Sequence, residues 1–358
     1  MHKKLTVLVT GSSGLIGSEA VVWFDRLDWN IIGVDNNMRL HFFGPEGDTR
    51  WNLLWLKDNT RNFEHIDLDI RNRESVLKLF KEKFFNLIIH CAAQPSHDLA
   101  AKMPFDDWDV NATGTINLLE ATRRYSKESP FIYMSTNKVY GDAPNEIPRI
   151  EYETRYDYKH PKDYDGIDES CRIDQCLHSL FGASKVAGDI IAQEYARYFS
   201  MPVGVFRGGC LTGGHHSGVE LHGFLSYLVK VAINKKPYTI FGYKGKQVRD
   251  NIHSHDVIDA FYKFYLKPRA GEVYNIGGGR DNSISVLEAI HKLESLTGNK
   301  MQYNIVQENR RGDHVCYISN FKKLQIHYPD WKITMPIDTI LEDLVRFEYE
   351  KKDKSFIS

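Results

Sequence analysis

At 358 residues the chain is long enough for one large α/β unit, or for a large and a small one sharing an interface. Its 46 basic and 47 acidic side chains give a formal net charge of -1, which excludes the basic excess of a nucleic-acid binder. A hydrophobic share of 42% with 26% charged residues is the balance of a soluble globular enzyme and not of a disordered chain.

The first apolar run, Leu5-Thr6-Val7-Leu8-Val9-Thr10, is far too short to span a membrane and ends in glycines, so it reads as a buried strand. The turn Gly11-Ser12-Ser13-Gly14-Leu15-Ile16-Gly17 then opens a helix over 15–27, and a second strand is expected at 30–35. Residues 36–62 are polar and aromatic with weak periodicity, which predicts loops with at most a short helix. Further strands are expected at 63–66, 87–90 and 131–135, with helices over 73–83 and 105–127. This alternation predicts βαβ units and a doubly wound, parallel, Rossmann-type sheet. Residues 142–178 hold several charges, prolines and tyrosines without a period, and a loop of that length is functional or disordered. Helical pattern returns over 179–197 and a strand over 203–207. Beyond about 208, helices are expected at 219–235, 255–267, 283–296 and 337–350, with strands near 238–241 and 273–276. The expected organisation is a dinucleotide-binding unit over 1–208 carrying the insertion 142–178. A smaller substrate-binding lobe over 209–358 returns segments to the main sheet. Five cysteines, at 91, 171, 176, 210 and 316, show no second pair at zinc spacing. A reduced, cytoplasmic chain without a metal is expected, and no membrane association.

The glycine turn carries the first functional signal. Gly11 permits the tight strand-to-helix turn, Gly14 leaves room for a pyrophosphate, and Gly17 allows close helix–sheet packing. The helix amides and its positive end then face the phosphates. Asp35 follows Gly17 by 18 residues and ends strand two, with Asn36 after it. A carboxylate there accepts from an adenosine ribose and repels a 2′-phosphate, which points to NAD over NADP, although Arg39 lies nearby. Ser13, Leu15 and Ile16 belong to the same turn. Asp69, with Ile70, either meets the adenine edge or caps the following helix. Ala92, Ala93 and Gln94 supply small residues where backbone must approach the cofactor, and Asn111 either anchors that loop or faces solvent.

The segment Ser135-Thr136-Asn137-Lys138-Val139-Tyr140-Gly141 ends a central strand, and Phe181-Gly182-Ala183-Ser184-Lys185 lies within a helix. There the i,i+4 spacing puts Phe181 and Lys185 on one face. Together with the glycine turn, Asn111, the strand ending at Arg207, Gln247-Val248-Arg249-Asp250, Asn275-Ile276-Gly277-Gly278 and Arg310-Arg311-Gly312-Asp313, these segments resemble the extended short-chain dehydrogenase/reductase family of nucleotide-sugar epimerases and dehydratases. The resemblance runs through most of the chain. Within the family, the Thr136-Asn137-Lys138 triplet, the insertion with Tyr164-Asp165-Gly166-Ile167-Asp168-Glu169, and Gly242 to Asp250 most resemble the 2-epimerases of CDP-hexoses. Dehydratases of the family carry an Asp-Glu pair where Asn137 and Lys138 stand, so elimination lacks its acid and base here.

The resemblance implies an NAD-dependent enzyme that oxidises one carbon of a nucleotide sugar and returns hydride to the opposite face, through a 2-keto sugar in a 2-epimerase. It places Thr136, residue 181 and Lys185 at the reacting centre, with Lys185 and Ser135 also against the cofactor. Gln94, Ser96, His97, Asn137, Lys138 and Arg207 are placed around the sugar, and Arg249 and Arg310 at the diphosphate. Homodimerisation through the 105–127 and 181–195 helices is implied as well. One departure stands out: the family's proton carrier is a tyrosine, and position 181 is Phe, which has no hydroxyl. Three readings compete: an engineered tyrosine replacement, a natural protein using another base such as Tyr164, His178 or Tyr140, or a protein that binds NAD and sugar nucleotide without turnover. A 4-epimerase or other isomerase of a UDP- or GDP-sugar is the alternative activity. His215 and His216 are either site residues or ordinary loop residues, His253 and His255 suggest no metal, and Tyr164 and Asp168 either cover the sugar or form an external lobe.

Overall fold

The computed structural model of the chain describes residues 4–220, 222–309 and 312–355. Seven parallel strands form its main sheet: β1 (Thr6–Thr10), β2 (Asn30–Val34), β3 (Phe63–Ile66), β4 (Leu87–His90), β5 (Phe131–Thr136), β6 (Val203–Gly208) and β7 (Glu272–Ile276). Their order is β7-β6-β5-β4-β1-β2-β3. The central strands are apolar without alternation because both faces are covered. Val7 and Val9 face one core with the helices Leu15–Arg26 and Ser254–Leu266, whereas Leu8 faces a second core with Arg73–Glu82, Gly114–Tyr125 and Ser179–Phe199. The order reverses between β1 and β4, which opens a crevice beyond the carboxyl ends of the strands.

The C-terminal half returns β7 to this sheet and builds a third apolar cluster. There the helices Phe224–Ile233, Val286–Thr297 and Ile337–Ser355 pack Leu228, Ile290 and Leu341 together. Strand Val248–His253 pairs with Ser283–Ser285, Cys316–Tyr317 and Cys210–Thr212, and Tyr238–Phe241 pairs with Tyr303–Val306. None of the helices is long and apolar enough to cross a membrane among the described residues. All five cysteines are free thiols.

Several elements differ from the sequence expectation for visible reasons. Residues 36–62 hold two helices, Met38–Phe43 and Arg50–Asn59, the second burying only Asn52 and Leu56, too thin a stripe to show as periodicity. The helix expected over 105–127 is interrupted by a π turn, Asp109–Thr113. The helix expected from 219 begins at Phe224, because Gly223 (φ +97°) lies in the left-handed region. The insertion 142–178 is ordered around a hairpin, Arg149–Glu151 with Tyr156–Tyr158.

A buried carboxylate locks the helix Ser179–Phe199 to the strand ends. Asp189 Oδ2 accepts from Ser135 Oγ at 2.6 Å and Arg207 Nε at 3.0 Å, and Oδ1 from Arg207 Nη2 at 2.8 Å and Gln193 Nε2 at 2.7 Å. Arg207 continues to Tyr140 Oη, which donates to Asn275 on β7. Removing one member of a buried pair strands the other charge, so Asp189→Ala should cost about 3–5 kcal/mol. Equilibrium urea unfolding checks this; a loss below about 1 kcal/mol, the level of a surface pair, would refute it.

Candidate active site

The crevice is a cavity of about 450 Å³ lined from both halves of the chain, within the range of ligand pockets. Gly11, Gly14, Leu15, Ile16 and Gly17 form its floor. Gly11 needs its positive φ of +69°, and a Cβ there would lie 2.8 Å from the Ala92 nitrogen. A Cβ on Gly17 would stand 2.0 Å from the Gly11 carbonyl oxygen, so only glycine allows this close turn. The helix Leu15–Arg26 starts at Gly14 without any side-chain cap, so its first amides are left to an anion in the cavity. This cradle fits a dinucleotide pyrophosphate.

Asp35 stands at the cavity edge, accepting from the Ser13 amide (3.0 Å) and the Asn37 amide (2.7 Å), and burial holds its carboxyl above the ordinary range despite both bonds. Arg39 donates to the Ser217 carbonyl at 2.7 Å and lies 4.7 Å over the Phe43 ring; burial pushes it down to about 10. Asn36, Asp69 and Ile70 also line the wall. The helix-cap reading of Asp69 is corrected: Asn72 caps Arg73–Glu82, and Asp69 pairs with Arg71 at 2.8 Å.

Ala92 and Ala93 face the cavity, but Gln94, Ser96, Asn111, Ser13 and Arg207 are absent from its lining and act from behind the wall. Asn111, aimed by the π turn, accepts from the Gln94 amide and donates to the Gln94 carbonyl, each at 3.0 Å. It therefore anchors the loop. Ser96 caps the helix His97–Lys102. Arg207 is not available to a sugar, since Asp189 and Tyr140 take its guanidinium.

Ser135, Thr136, Asn137, Lys138, Phe181 and Lys185 converge on the opposite wall. Thr136 Oγ1 accepts from the Lys138 amide at 3.2 Å. Lys185 donates to the Met134 carbonyl at 2.9 Å and sits 4.4 Å over the Tyr133 ring, with burial pushing its ammonium down to about 8. Lys138 reaches the Gly312 carbonyl at 3.1 Å and is likewise pushed down to about 8 by burial, against the attraction of Asp313. Arg249 lines the cavity while pairing with Asp313 and donating to the Val248 carbonyl at 2.7 Å. The neighbouring Asp250 accepts from the Gly279 and Ser319 amides. Arg310 lies outside the described residues.

The alternative bases lie elsewhere. Tyr140 is fully buried and donates to Asn275. Tyr164 is exposed beneath the Arg280 guanidinium, and His178 Nε2 lies 2.6 Å from the Ile173 carbonyl. None of the three lines the cavity, and neither does any residue of the insertion 142–178. Tyr164 and Asp168 lie outside this lining, in the ordered insertion. His216 lines the cavity, whereas His215 packs among Trp51, Trp55 and Phe347. His253 and His255 meet Asp343 and Glu19. No cluster able to hold a metal is present among the described residues. The sequence reading missed the wall built by Phe224–Tyr227, Tyr238–Phe241 and Gln247; the short strand expected near 238–241 was its only local signal.

A glycine cradle, an acidic residue just after β2, and a Thr–Lys wall at a sheet switch point define a dinucleotide-dependent α/β enzyme. Residues 7–277 match the NAD dependent epimerase/dehydratase family, and the chain belongs to that family. It is 33% identical to CDP-paratose 2-epimerase of Salmonella typhi over 327 residues, covering 89% of this chain and 92% of the relative. It is 28% identical to UDP-glucose 4-epimerase of Bos taurus over 354 residues, 96% of each chain. Its fold matches UDP-glucuronic acid 4-epimerase of Bacillus cereus, solved with UDP-glucuronic acid and NAD, at a TM-score of 0.78 and 24% identity, covering 97% of this chain and 100% of that one.

Asp35 is expected to make the protein prefer NAD to NADP, and Asp35→Ala to narrow that preference by about tenfold or more, on the order of 1.4 kcal/mol. Calorimetric titration of both dinucleotides checks it; an unchanged preference would assign selectivity to another residue.

Proposed function

We propose that the protein epimerises a nucleotide sugar at one ring carbon, with C2 of a CDP-hexose, of the CDP-paratose to CDP-tyvelose type, as the preferred case. The observation that carries the reading is the convergence of Thr136, Lys138 and Lys185 on the cavity wall opposite the glycine cradle. Asn137 and Lys138 at the positions of the dehydratase carboxylates argue against elimination, and similarity to CDP-paratose 2-epimerase supports C2 and cytidine. The full-length similarity to UDP-glucose 4-epimerase supports the second reading, inversion at C4 of a UDP-sugar.

NAD, when bound, supplies the acceptor and donor of hydride. The chain's own groups position and polarise. Gly11 to Gly17 and Asp35 hold the dinucleotide, and Thr136 hydrogen-bonds the reacting oxygen. Lys185, fixed by Met134, holds the nicotinamide ribose. Arg249, oriented by Asp313, meets the sugar nucleotide's diphosphate. The exposed Phe105 and Trp108 within 105–127 and Ile190 within 181–195, the segments of the expected interface, support a homodimer, and sedimentation as a monomer would refute that part.

Incubation of the protein, and of Phe181→Tyr, with CDP-paratose, CDP-glucose and UDP-glucose in deuterated water, followed by NMR, tests the reaction. Inversion at C2 without solvent deuterium is expected. Exclusive inversion at C4 overturns the C2 assignment, deuterium at C2 overturns hydride return, and no turnover by either protein leaves only binding. Arg249→Ala should weaken nucleotide-sugar binding by about 1.5–3 kcal/mol while NAD affinity stays unchanged. Equal loss for both ligands would make Arg249 a structural residue.

A further inference from the structure

At position 181 the family places its proton carrier, and there this chain has a phenyl ring without a hydroxyl. We propose that Lys138 is the proton carrier of this enzyme, its Nζ receiving and returning the proton of the reacting sugar hydroxyl; the inference rests on the epimerase reading above. Lys138 follows Thr136 by two residues, in the tight turn Asn137–Tyr140, and both line the cavity. Its backbone packs on the start of the helix that carries Phe181, where a Cβ at Gly182 would stand 2.9 Å from the Lys138 carbonyl oxygen. Its Nζ reaches the Gly312 carbonyl at 3.1 Å, and a Cβ at Gly312 would lie 3.3 Å from His97 Nδ1. The His97 ring in turn meets the Phe181 ring, with centroids 5.0 Å apart. Lys138 therefore approaches residue 181 directly with its backbone, and with its amine by way of Gly312 and His97.

A base has to be aimed, and the segment after Gly312 aims this one. A neutral amine has two N–H groups and one lone pair. The Gly312 carbonyl accepts one hydrogen at 3.1 Å, and the Asp313 carboxylate, 3.6 Å away, draws the second. The lone pair takes the remaining direction, and the side chain, which lines the cavity, keeps 14% exposure. Asp313 is itself held by the Arg249 guanidinium and by the His314 amide at 3.0 Å, so it stands ready to stabilise the ammonium once the proton has arrived. The titratable and charged groups around the amine are Asp313 and His314, Arg249 on the neighbouring strand, Cys210 beside that strand, His97, and His178 against the Lys138 carbonyl.

Proton affinity follows from the same setting. Burial pushes the ammonium down to about 8, with repulsion from Arg249 adding to it and attraction to Asp313 opposing it. A buried lysine tuned this way serves as a general base near neutral pH. In the proposed step the sugar O–H bond breaks and its proton passes to the Lys138 lone pair. The electron pair of the C–H bond on the same carbon leaves with its hydrogen, as hydride, to the oxidised nicotinamide. A ketone and a Lys138 ammonium result. On the return, hydride reaches the other face of that carbon and the ammonium gives its proton back to the oxygen.

The experiment compares the parent protein with Lys138→Ala, Lys138→Gln, Phe181→Tyr and the Lys138→Ala, Phe181→Tyr double variant on the nucleotide sugars above. NAD affinity and thermal unfolding confirm that each is folded. The parent should be active, with kcat rising along a limb near pH 8 as the ammonium loses its proton. Both Lys138 variants should lose the limb and at least about a hundredfold in kcat, since a positioned base contributes roughly that much. Added ethylamine should raise the turnover of Lys138→Ala, which leaves space for it, and not that of Lys138→Gln. Phe181→Tyr should restore turnover in the Lys138→Ala background. Independently of turnover, carbon NMR of the lysine ε-methylenes should show, besides Lys185 and Lys351, a third resonance titrating near pH 8 that is missing from Lys138→Gln. Retained activity in both Lys138 variants, a loss that neither ethylamine nor the tyrosine restores, or no third resonance overturns the proposal. So does loss of the limb in His97→Gln, Glu220→Gln, Tyr227→Phe or Tyr238→Phe, whose side chains share the lining. A parent inactive where Phe181→Tyr is active overturns it and spares the epimerase reading; inactivity of both on every nucleotide sugar removes the two together.

Discussion

The architecture of the site depends on the Asp189 carboxylate. It accepts from Ser135 at the end of β5 and from Arg207 on β6, while itself belonging to the helix that carries Phe181 and Lys185. Rotation of that helix about its axis would break several charge-assisted bonds in a buried setting, where each is hard to replace. The rotation of the helix fixes which residues face the cavity. Lys185, one turn before Asp189, is thereby held against the Met134 carbonyl, and Phe181, two turns before, against His97. A structural ion pair behind the reactive wall thus sets that wall's geometry.

Two layers of residues shape the cavity, and they were not equally legible in the sequence. Residues that touch the cavity through backbone proximity could be read from their spacing, because at Gly11 and Gly17 the turn admits no side chain. Asp35 was legible for a similar reason: a strand of fixed length delivers its last side chain to the crevice. Arg207 was misread as a sugar ligand because its place at a strand end is visible in sequence, whereas its partner Asp189 comes from another element. Asn111 was legible as the anchor of the 92–94 loop, one of its two readings, whereas Gln94 was assigned to the cavity and stands behind its lining, bonded to Asn111 across 17 residues.

The wall from the C-terminal half was illegible for a different cause. Phe224–Tyr227 and Tyr238–Phe241 face the cavity only because the third apolar cluster docks them there, and no local period encodes that docking. The helix Arg50–Asn59 escaped notice because Leu56 is its one buried apolar side chain, while Asn52 donates to the Ser13 carbonyl and so braces the glycine turn from behind. Its role is to steady backbone, which leaves little apolar trace in a sequence.

The insertion 142–178 has a consequence for the order in which the molecule is completed. Asn145 holds the Asp313 carbonyl and the Val315 amide, Ile167 bridges to Ser319, and Glu169 accepts from the Asn275 amide. Each partner lies more than a hundred residues further along the chain. On a ribosome, the strands β1 to β6 and the glycine cradle emerge long before these partners, and domains form as their segments become available. The insertion must then wait beside an unfinished sheet edge until β7 and the 312–319 segment arrive. A newborn chain gains its dinucleotide cradle and the Thr136–Lys185 wall first, and the wall from its C-terminal half last.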